Sequence, residues 1–266
     1  NDELALVSSW WWRTRMQRAW RVQPGNPDAE PVLMIERNWE DRYNDPGSPL
    51  TRWTDQGTSV LVTADGGSKL FLTGDGASEE GDQPFVNIYD IETGETETIF
   101  RSAAPYYEDP VILIDPEERV ILTRRETIDE PPNYFLRDLK DNELQQLTFF
   151  EHPTPQLKDV TKEMIRFERE DGLQLTGTLY LPAGYDKDRD GPLPILMWAY
   201  PREFKSADAA GQVTDSPYRF VRVGWWSPAL WLVHGYAVLD DLSMPIVGEG
   251  DQEPNDTFVE RLVANA

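Results

Sequence analysis

The chain lacks several features that would each point to a class of protein. It contains no cysteine, which excludes disulfide bonds and thiolate chemistry but leaves the compartment open. It has no apolar run near the roughly 18 residues that cross a bilayer, and no apolar signal-peptide region at its start. We therefore expect a soluble protein with no signal peptide or transmembrane segment, in a compartment that the sequence leaves unknown.

Basic residues are scarce. The chain has 25 Lys and Arg against 48 Asp and Glu, a net charge of -23, which disfavours binding to nucleic acid or anionic membranes. The one basic cluster runs from Trp10 to Arg21, where arginines interleave with tryptophans. We expect structural cation–π packing within a strand there, rather than stacking on nucleic acid bases. Neither nucleic acid nor a membrane is a predicted partner.

Several catalytic and ligand-binding motifs are also missing. The sequence has no G-x-S-x-G, no phosphate-binding glycine loop and no zinc-ligand spacing. Its two histidines, His152 and His234, are expected to be structural. The acids between residues 240 and 256 suit a loop and the first turn of a helix better than a metal site. The sequence therefore predicts no metal and no cofactor.

Residues 1 to about 155 have the pattern of an all-β array. Short β-branched and aromatic runs alternate with turns rich in Gly, Asn, Asp and Pro. Two hairpins are predicted, 60–63 with 69–72 and 111–114 with 120–123. Residues 90–99 align with 138–147 at an offset of 48, and a repeat of this length is typical of four-stranded propeller blades. About three blades are present, which should need further blades or a partner to bury their faces.

The pattern changes after a proline-rich linker at 150–157. Clean alternation in 163–169 and 173–181 predicts an antiparallel strand pair. The apolar runs at 194–200 and 236–242 predict buried strands, separated by roughly 35 residues, enough for a crossover. This places Tyr200 at the carboxyl end of its strand, the edge where open α/β sheets bind ligands. A short helix is predicted near 228–233, and an amphipathic helix from about residue 253.

Several segments resemble the prolyl oligopeptidase family of serine peptidases, and most closely its glutamyl endopeptidase branch. They are Trp198-Ala199-Tyr200-Pro201, Glu203-Phe204-Lys205-Ser206, Asp208-Ala209-Ala210-Gly211-Gln212-Val213, Ser227-Pro228, Leu230-Trp231-Leu232 and Ile246-Val247-Gly248-Glu249-Gly250-Asp251. The resemblance implies a mixed β and α/β fold. Residues 1–155 would be the C-terminal blades of a β-propeller, and 156–266 the N-terminal part of an α/β-hydrolase sheet, cut before the nucleophile.

The resemblance also implies roles for particular residues. Tyr200 matches a tyrosine that lends its hydroxyl to the oxyanion hole, whereas the Ser-Asp-His triad would lie beyond Ala266. Arg202 stands where the branch usually has Gly. A site selective for acidic residues needs a cation, and Arg202 and Lys205 are the first candidates, followed by Arg219 and Arg222. The alternative for each of these four residues is a solvated loop charge.

The functional hypothesis is a portion of a serine-type peptidase similar to glutamyl endopeptidase, which cleaves peptides after acidic residues and is inactive without the missing triad. Its partners would be a peptide substrate and the remainder of the hydrolase domain. One alternative is a non-catalytic propeller-type interaction module, which incomplete blades would favour through exposed apolar edges and homo-oligomers. Another is one chain of a nicked or two-chain enzyme, completed by a second chain.

Overall fold

The structure, a computed structural model, describes residues 3–266 and consists mostly of β-strands. The strands are β1 (Ala5–Trp11), β2 (Met16–Val22), β3 (Val32–Asn38), β4 (Ser48–Pro49), β5 (Thr51–Trp53), β6 (Ser59–Leu61), β7 (Thr63–Ala64), β8 (Lys69–Gly74), β9 (Phe85–Asp90), β10 (Thr96–Arg101), β11 (Tyr107–Asp115), β12 (Val120–Glu126), β13 (Asn133–Asp138), β14 (Leu144–Gln146), β15 (Thr161–Glu168), β16 (Gln174–Leu181), β17 (Ile195–Phe204) and β18 (Ala237–Val247). The α-helices are α1 (Lys187–Asp190), α2 (Ala207–Ala210) and α3 (Phe258–Asn265), and 3₁₀ helices occupy Asp65–Gly67, Pro155–Leu157, Pro228–His234 and Pro254–Thr257. Over the described range, no helix is both long and apolar enough to cross a membrane.

Three antiparallel sheets succeed one another along the first part of the chain. The first has the order β1-β2-β3, the second β10-β9-β8-β4 with β7 also paired to β8, and the third β11-β12-β13-β14. Strands β5 and β6 form a small separate hairpin. Each large sheet is built mainly from strands that follow one another in sequence, which is the connectivity of propeller blades.

One predicted hairpin is confirmed and the other is partly wrong. Strands β11 and β12 pair across the turn at 115–118, with Asp115 opposite Val120. The turn at 65–67 is also present, but of the segment before this turn only Thr63 and Ala64 pair with β8. Strand β6 pairs with β5 instead, because the chain bends at Val62, which is buried and donates its N–H to Leu50 O at 2.9 Å.

The internal repeat corresponds to the same local structure twice. In each copy an aspartate ends a strand, and its Oδ1 accepts hydrogen bonds from the amides two and three residues ahead: at 2.9 and 2.9 Å for Asp90, and at 2.8 and 3.2 Å for Asp138. A residue with positive φ follows at the tip, Gly94 at 75° and Asn142 at 56°. Aspartate at the first position and Gly or Asn at the tip therefore specify the same tight turn in both sheets.

The second part of the chain forms a mixed sheet with the order β15-β16-β18-β17. Strands β15, β16 and β18 are mutually antiparallel, and β17 lies parallel to β18, as the crossover predicts. Both parallel strands continue beyond their predicted ends, and Tyr200 pairs with Ser243 in the middle of β17. The expectation that Tyr200 ends its strand is therefore wrong. Pro201 does not stop β17, because an outer strand tolerates a residue without an N–H.

The predicted helices are present near their expected positions. Residues Pro228–His234 form a 3₁₀ helix, and Pro254–Thr257 lead into α3. Glu253 and Asp256 form a reciprocal capping box at this second start, so two of the acids between 240 and 256 begin a helix, as expected.

The basic cluster near the amino terminus forms a buried ion pair. Arg15 is fully buried in the turn after β1, with its guanidinium 3.9 Å from the centre of the Trp12 ring. Its Nε donates to Glu40 Oε1 at 2.6 Å. The expected cation–π packing is therefore present, in a turn rather than in a strand, while Trp10 and Trp11 are exposed.

The two parts of the chain meet through an apolar cluster and a set of polar contacts. The cluster joins residues from both sides of the linker: Leu157, Val160, Val221, Ala229, Leu232 and Val238, with Ile128 packed against them. The segment 205–223, which follows β17, carries the polar contacts. It touches the first part of the chain at Glu40, Arg42 and Glu126, and this arrangement places the end of β17 beside a cleft between the two parts.

Candidate active site

Tyr200 lies on the surface near this cleft. Its side chain is 77% exposed, and the hydroxyl has no hydrogen-bond partner among residues 3–266, so it is free to donate. The ring lines a small surface pocket together with Arg202, Thr214 and Asp241. The outer edge of β17 pairs with no other strand of the described chain. Tyr200 therefore stands at an open edge of the mixed sheet, accessible to another polypeptide segment.

A β-bulge immediately before Tyr200 shapes this pocket. The register between β17 and β18 shifts between Met197 and Ala199, and on the opposite strand Asp241 has a φ of 47°. Its amide donates to Asp240 Oδ1 at 2.9 Å, and burial raises the pKa of the Asp240 carboxyl. A bulge redirects side chains and twists the strand locally. Here it brings the Asp241 side chain to the same pocket as Tyr200.

Arg202 lies two residues beyond Tyr200 and lines the same pocket. Its side chain is 55% exposed, and its charged partner is Asp241, with Nη2 and Oδ1 3.6 Å apart. Arg202 also lines a larger charged cleft of about 510 Å³. The structure therefore brings together two of the residues singled out in the sequence, Tyr200 and Arg202, and connects them to a larger charged surface.

Lys205 does not belong to this surface. Its side chain is only 9% exposed, and its ammonium donates to the carbonyl oxygens of Gly250 and Gln252 and lies 3.8 Å from Glu253. Its backbone N–H donates to Glu40 Oε2 at 2.9 Å. Two carbonyl oxygens and a nearby carboxylate therefore engage the ammonium, and Lys205 anchors the loop before α3. The expectation that Lys205 binds substrate is corrected on this ground.

The larger cleft lies between the two parts of the chain, and its lining includes residues that the sequence did not single out. Arg42 Nη2 lies 3.1 Å from both carboxylate oxygens of Asp82, and burial raises the Asp82 pKa despite this partner. Lys162 is buried and donates to two backbone carbonyls, those of Ser216 at 2.9 Å and Arg219 at 3.2 Å. Burial lowers the pKa of its ammonium. No local motif could have identified these residues, because their partners are distant in sequence.

Two further arginines reach the cleft from the segment 205–223. Arg219 packs its guanidinium over the Tyr107 ring, 4.4 Å from the centre, and donates to the Tyr107 hydroxyl at 2.7 Å. Arg222 donates to Glu126 Oε2 at 2.7 Å, and the other carboxylate oxygen accepts from the Phe220 amide. The third antiparallel sheet therefore holds both arginines in place.

Burial of Tyr107 leads to a prediction for alkaline pH. Its phenol pKa is raised to about 12 from 10.0, because burial opposes ionisation more than Arg219 favours it. The folded state thus keeps a proton that the unfolded state loses, and this contribution is complete below pH 10 and disappears as the pH approaches about 12. We expect the free energy of unfolding, measured with urea, to fall over this range. Tyr107→Phe should make the fall shallower, and an equally steep fall in the variant would contradict the assignment.

Both histidines occupy structural positions, as expected. His152 Nδ1 accepts from the Thr154 amide at 3.1 Å, and its ring packs edge-on against Phe220. His234 ends a 3₁₀ helix beside Trp231. Neither histidine lines the pocket that contains Tyr200.

Comparison with known proteins finds two relatives with similar sequences and solved structures with a similar fold. The chain is 46% identical over 278 residues to a probable chloroplastic glutamyl endopeptidase of Oryza sativa subsp. japonica, and 47% identical over 279 residues to the Arabidopsis thaliana protein of the same name. Each alignment includes all of this chain but only 30% and 29% of the relative. No profile of a known protein family matches.

Among solved structures, the acylaminoacyl peptidase of Pyrococcus horikoshii aligns with 95% of this chain and 32% of its own length, at a TM-score of 0.50 and 15% identity. At that identity the likeness is one of fold. It agrees with the mixed β fold that the resemblance implies.

Proposed function

The chain is related along its whole length to glutamyl endopeptidases of the prolyl oligopeptidase family, and from this relationship we propose that it forms part of a serine-type peptidase. Residues 1–155 would be propeller blades that restrict access to the site. Residues 156–266 would be the first part of the hydrolase domain. The nucleophile and its acid and base partners would come from a segment outside these 266 residues, because the chain contains no G-x-S-x-G.

The observation that carries this proposal is the free hydroxyl of Tyr200 at the open edge of β17. In acyl transfer, a serine attacks the peptide carbonyl and the carbonyl oxygen becomes negatively charged. A preorganised O–H donor aimed at this oxygen stabilises the tetrahedral intermediate more than the substrate. We assign this role to Tyr200, which needs no rearrangement to donate, because no other group of the described chain holds its hydroxyl.

The proposed substrate is a peptide with an acidic residue before the cleaved bond, and Arg202 is the proposed partner of that carboxylate. A guanidinium binds a carboxylate with two parallel hydrogen bonds. Arg202 has its side chain in solvent beside Tyr200 and a single ion pair at 3.6 Å. A substrate carboxylate would replace Asp241 as the nearest anion, at a low cost because that ion pair is long and exposed.

The second candidate function is a non-catalytic interaction module. Exposed aromatic residues favour it: Trp225 is 92% exposed and packs edge-on against Trp226, which is 62% exposed. Contiguous exposed apolar surface marks interaction sites. The same residues would equally be covered by the rest of a hydrolase domain or by a second chain, so activity has to decide between the two.

The deciding experiment compares the complete polypeptide with the 266-residue chain on fluorogenic peptides that contain Glu or Gln before the cleaved bond. We expect the complete polypeptide to cleave after Glu, with activity abolished by a serine-directed fluorophosphonate, and the 266-residue chain to be inactive. Turnover by the 266-residue chain would overturn the assignment of the nucleophile to another segment. A complete polypeptide with no peptidase activity would favour the interaction module, which size-exclusion chromatography would then examine for oligomers.

A further inference from the structure

The charged cleft contains more cationic hydrogen-bond donors than its own acids use. Five cationic side chains line it, and protein groups already engage most of the donors of two of them. Arg42 contacts both oxygens of Asp82 and the carbonyl of Val213. Lys162, whose side chain is 2% exposed, donates to two carbonyls and lies 3.8 Å from Asp215. These two residues connect segments that line the cleft and have few free hydrogen-bond donors for a ligand.

The other three cations, Arg202, Arg219 and Arg222, keep unused donors. A guanidinium has five N–H donors. Arg219 and Arg222 each donate one side-chain hydrogen bond, to Tyr107 and Glu126 respectively. Arg219 also has its Nε 3.4 Å from Asp215 Oδ1, and Arg202 has only its long ion pair with Asp241. Their side chains are 55%, 41% and 54% exposed in the order named. Five acids line the same cleft, namely Asp75, Asp82, Glu126, Asp215 and Asp241. An anion would therefore bind through the unused donors of the three arginines and not through a net positive charge.

The three arginines come from two separate elements. Arg202 lies on β17 beside Tyr200, whereas Arg219 and Arg222 lie on the segment 205–223 and are held by the third antiparallel sheet. Glu126 is 2% exposed, and both of its oxygens already accept hydrogen bonds. It therefore fixes Arg222 in position and is not itself a free anion facing the ligand. A ligand that contacted Arg202 with one carboxylate would meet Arg219 and Arg222 elsewhere on the same cleft.

We propose that Arg219 and Arg222 form a second carboxylate-binding site, so that the favoured peptide carries a further carboxylate besides the acidic residue bound by Arg202. This inference rests on the proposed function, because it deepens the substrate class of the same site. The second carboxylate has two sources with the same chemistry, the side chain of another acidic residue or the carboxyl terminus of a short peptide.

Binding to the 266-residue chain tests the proposal without the need for turnover. The probes are three tetrapeptides, acetylated at the amino terminus, measured by isothermal titration at low salt. The first contains one Glu and a terminal amide, the second two Glu and a terminal amide, and the third one Glu and a free terminal carboxylate. We expect the second or the third to bind about tenfold more tightly than the first, as one added charge-assisted contact allows. General electrostatics predict the reverse, because the chain is acidic.

Variants separate the second site from the first. Arg222→Gln should abolish the tenfold advantage and leave the affinity for the first peptide unchanged, whereas Arg202→Gln should weaken all three peptides. Arg18→Gln is the matched control, since Arg18 is 48% exposed and has one ion pair, with Glu36, on the first sheet. It should keep the advantage. Arg222→Lys keeps a positive charge beside Glu126 but loses the planar guanidinium with its two parallel donors. It should therefore retain only a few-fold advantage of the second or third peptide over the first. This variant replaces Arg222→Gln if Arg222→Gln does not fold.

Equal affinity for all three peptides would overturn the proposal. A tenfold advantage of the second or third peptide that survives in Arg222→Gln would also overturn it. If Arg222→Gln does not fold, the same advantage kept in full by Arg222→Lys would have this meaning. These outcomes differ from a failure of the proposed function, which would appear as a complete polypeptide without peptidase activity. The second and third peptides, compared with each other, identify the source of the carboxylate.

Discussion

Replacing Tyr200 by Phe in the complete polypeptide should lower kcat for a Glu-containing peptide by about 10²–10³-fold and leave KM nearly unchanged. The hydroxyl contacts the oxygen only when charge develops on it, so its loss raises the energy of the transition state and not that of the bound substrate. The fold should not change, because the ring is 77% exposed and the hydroxyl has no partner within residues 3–266.

Tyr236→Phe is the matched control for this experiment. Tyr236 precedes β18 and packs edge-on against Trp231, with ring centres 5.2 Å apart, and it does not line the Tyr200 pocket. Its loss of a hydroxyl should leave kcat within about twofold of the wild type, as expected for a surface substitution with no catalytic contact. An equal effect of the two variants, or an effect of Tyr200→Phe on KM alone, would contradict the oxyanion role.

The second large effect concerns stability. Arg15→Met should lower the free energy of unfolding by about 3–5 kcal/mol. Arg15 and Glu40 are both buried, with side chains 0% and 2% exposed, and their atoms meet at 2.6 Å. Removing the arginine leaves a carboxylate in the interior whose remaining hydrogen bond comes from the Lys205 amide. The same change therefore loosens the contact between the first sheet and the end of β17.

Urea denaturation of the 266-residue chain measures this effect, with Arg18→Met as the control. Arg18 and Glu36 also meet at 2.6 Å, but their side chains are 48% and 43% exposed, so the control should change stability by less than about 1 kcal/mol. In the double variant Arg15→Met, Glu40→Leu, part of the loss should be recovered because the buried charge is gone. Similar losses in the free energy of unfolding for Arg15→Met and Arg18→Met would show that the buried Arg15–Glu40 pair contributes no more to stability than the exposed pair.

Features set by neighbouring residues could be predicted from the sequence. The repeated turn after Asp90 and Asp138 depends on an aspartate and a Gly or Asn four residues later, so aligning the two segments was sufficient. The paired strands at 163–169 and 173–181 follow from strict alternation. The end of β17 could not be predicted, because the strand continues only where β18 supplies hydrogen bonds as far as Val247.

The site was predictable only where a family resemblance marked a residue. The resemblance singles out Tyr200, Arg202 and Lys205 in this way. It gives no sign of the carbonyl oxygens that engage the Lys205 ammonium, because they lie 45 and 47 residues away. Arg219 and Arg222 were among the candidates, but the residues that hold them lie 112 and 96 residues distant. The charged cleft is a product of tertiary structure, since segments far apart in sequence supply its two walls.

The most direct test of the account is a crystal structure of the complete polypeptide bound to a peptide boronic acid, whose tetrahedral adduct with the nucleophile imitates the acyl-transfer intermediate. The account predicts that the Tyr200 hydroxyl lies about 2.7–3.1 Å from a boronate oxygen, with the nucleophile supplied from outside these 266 residues. A boronate oxygen held only by other donors, with the Tyr200 ring turned away from the adduct, would contradict it.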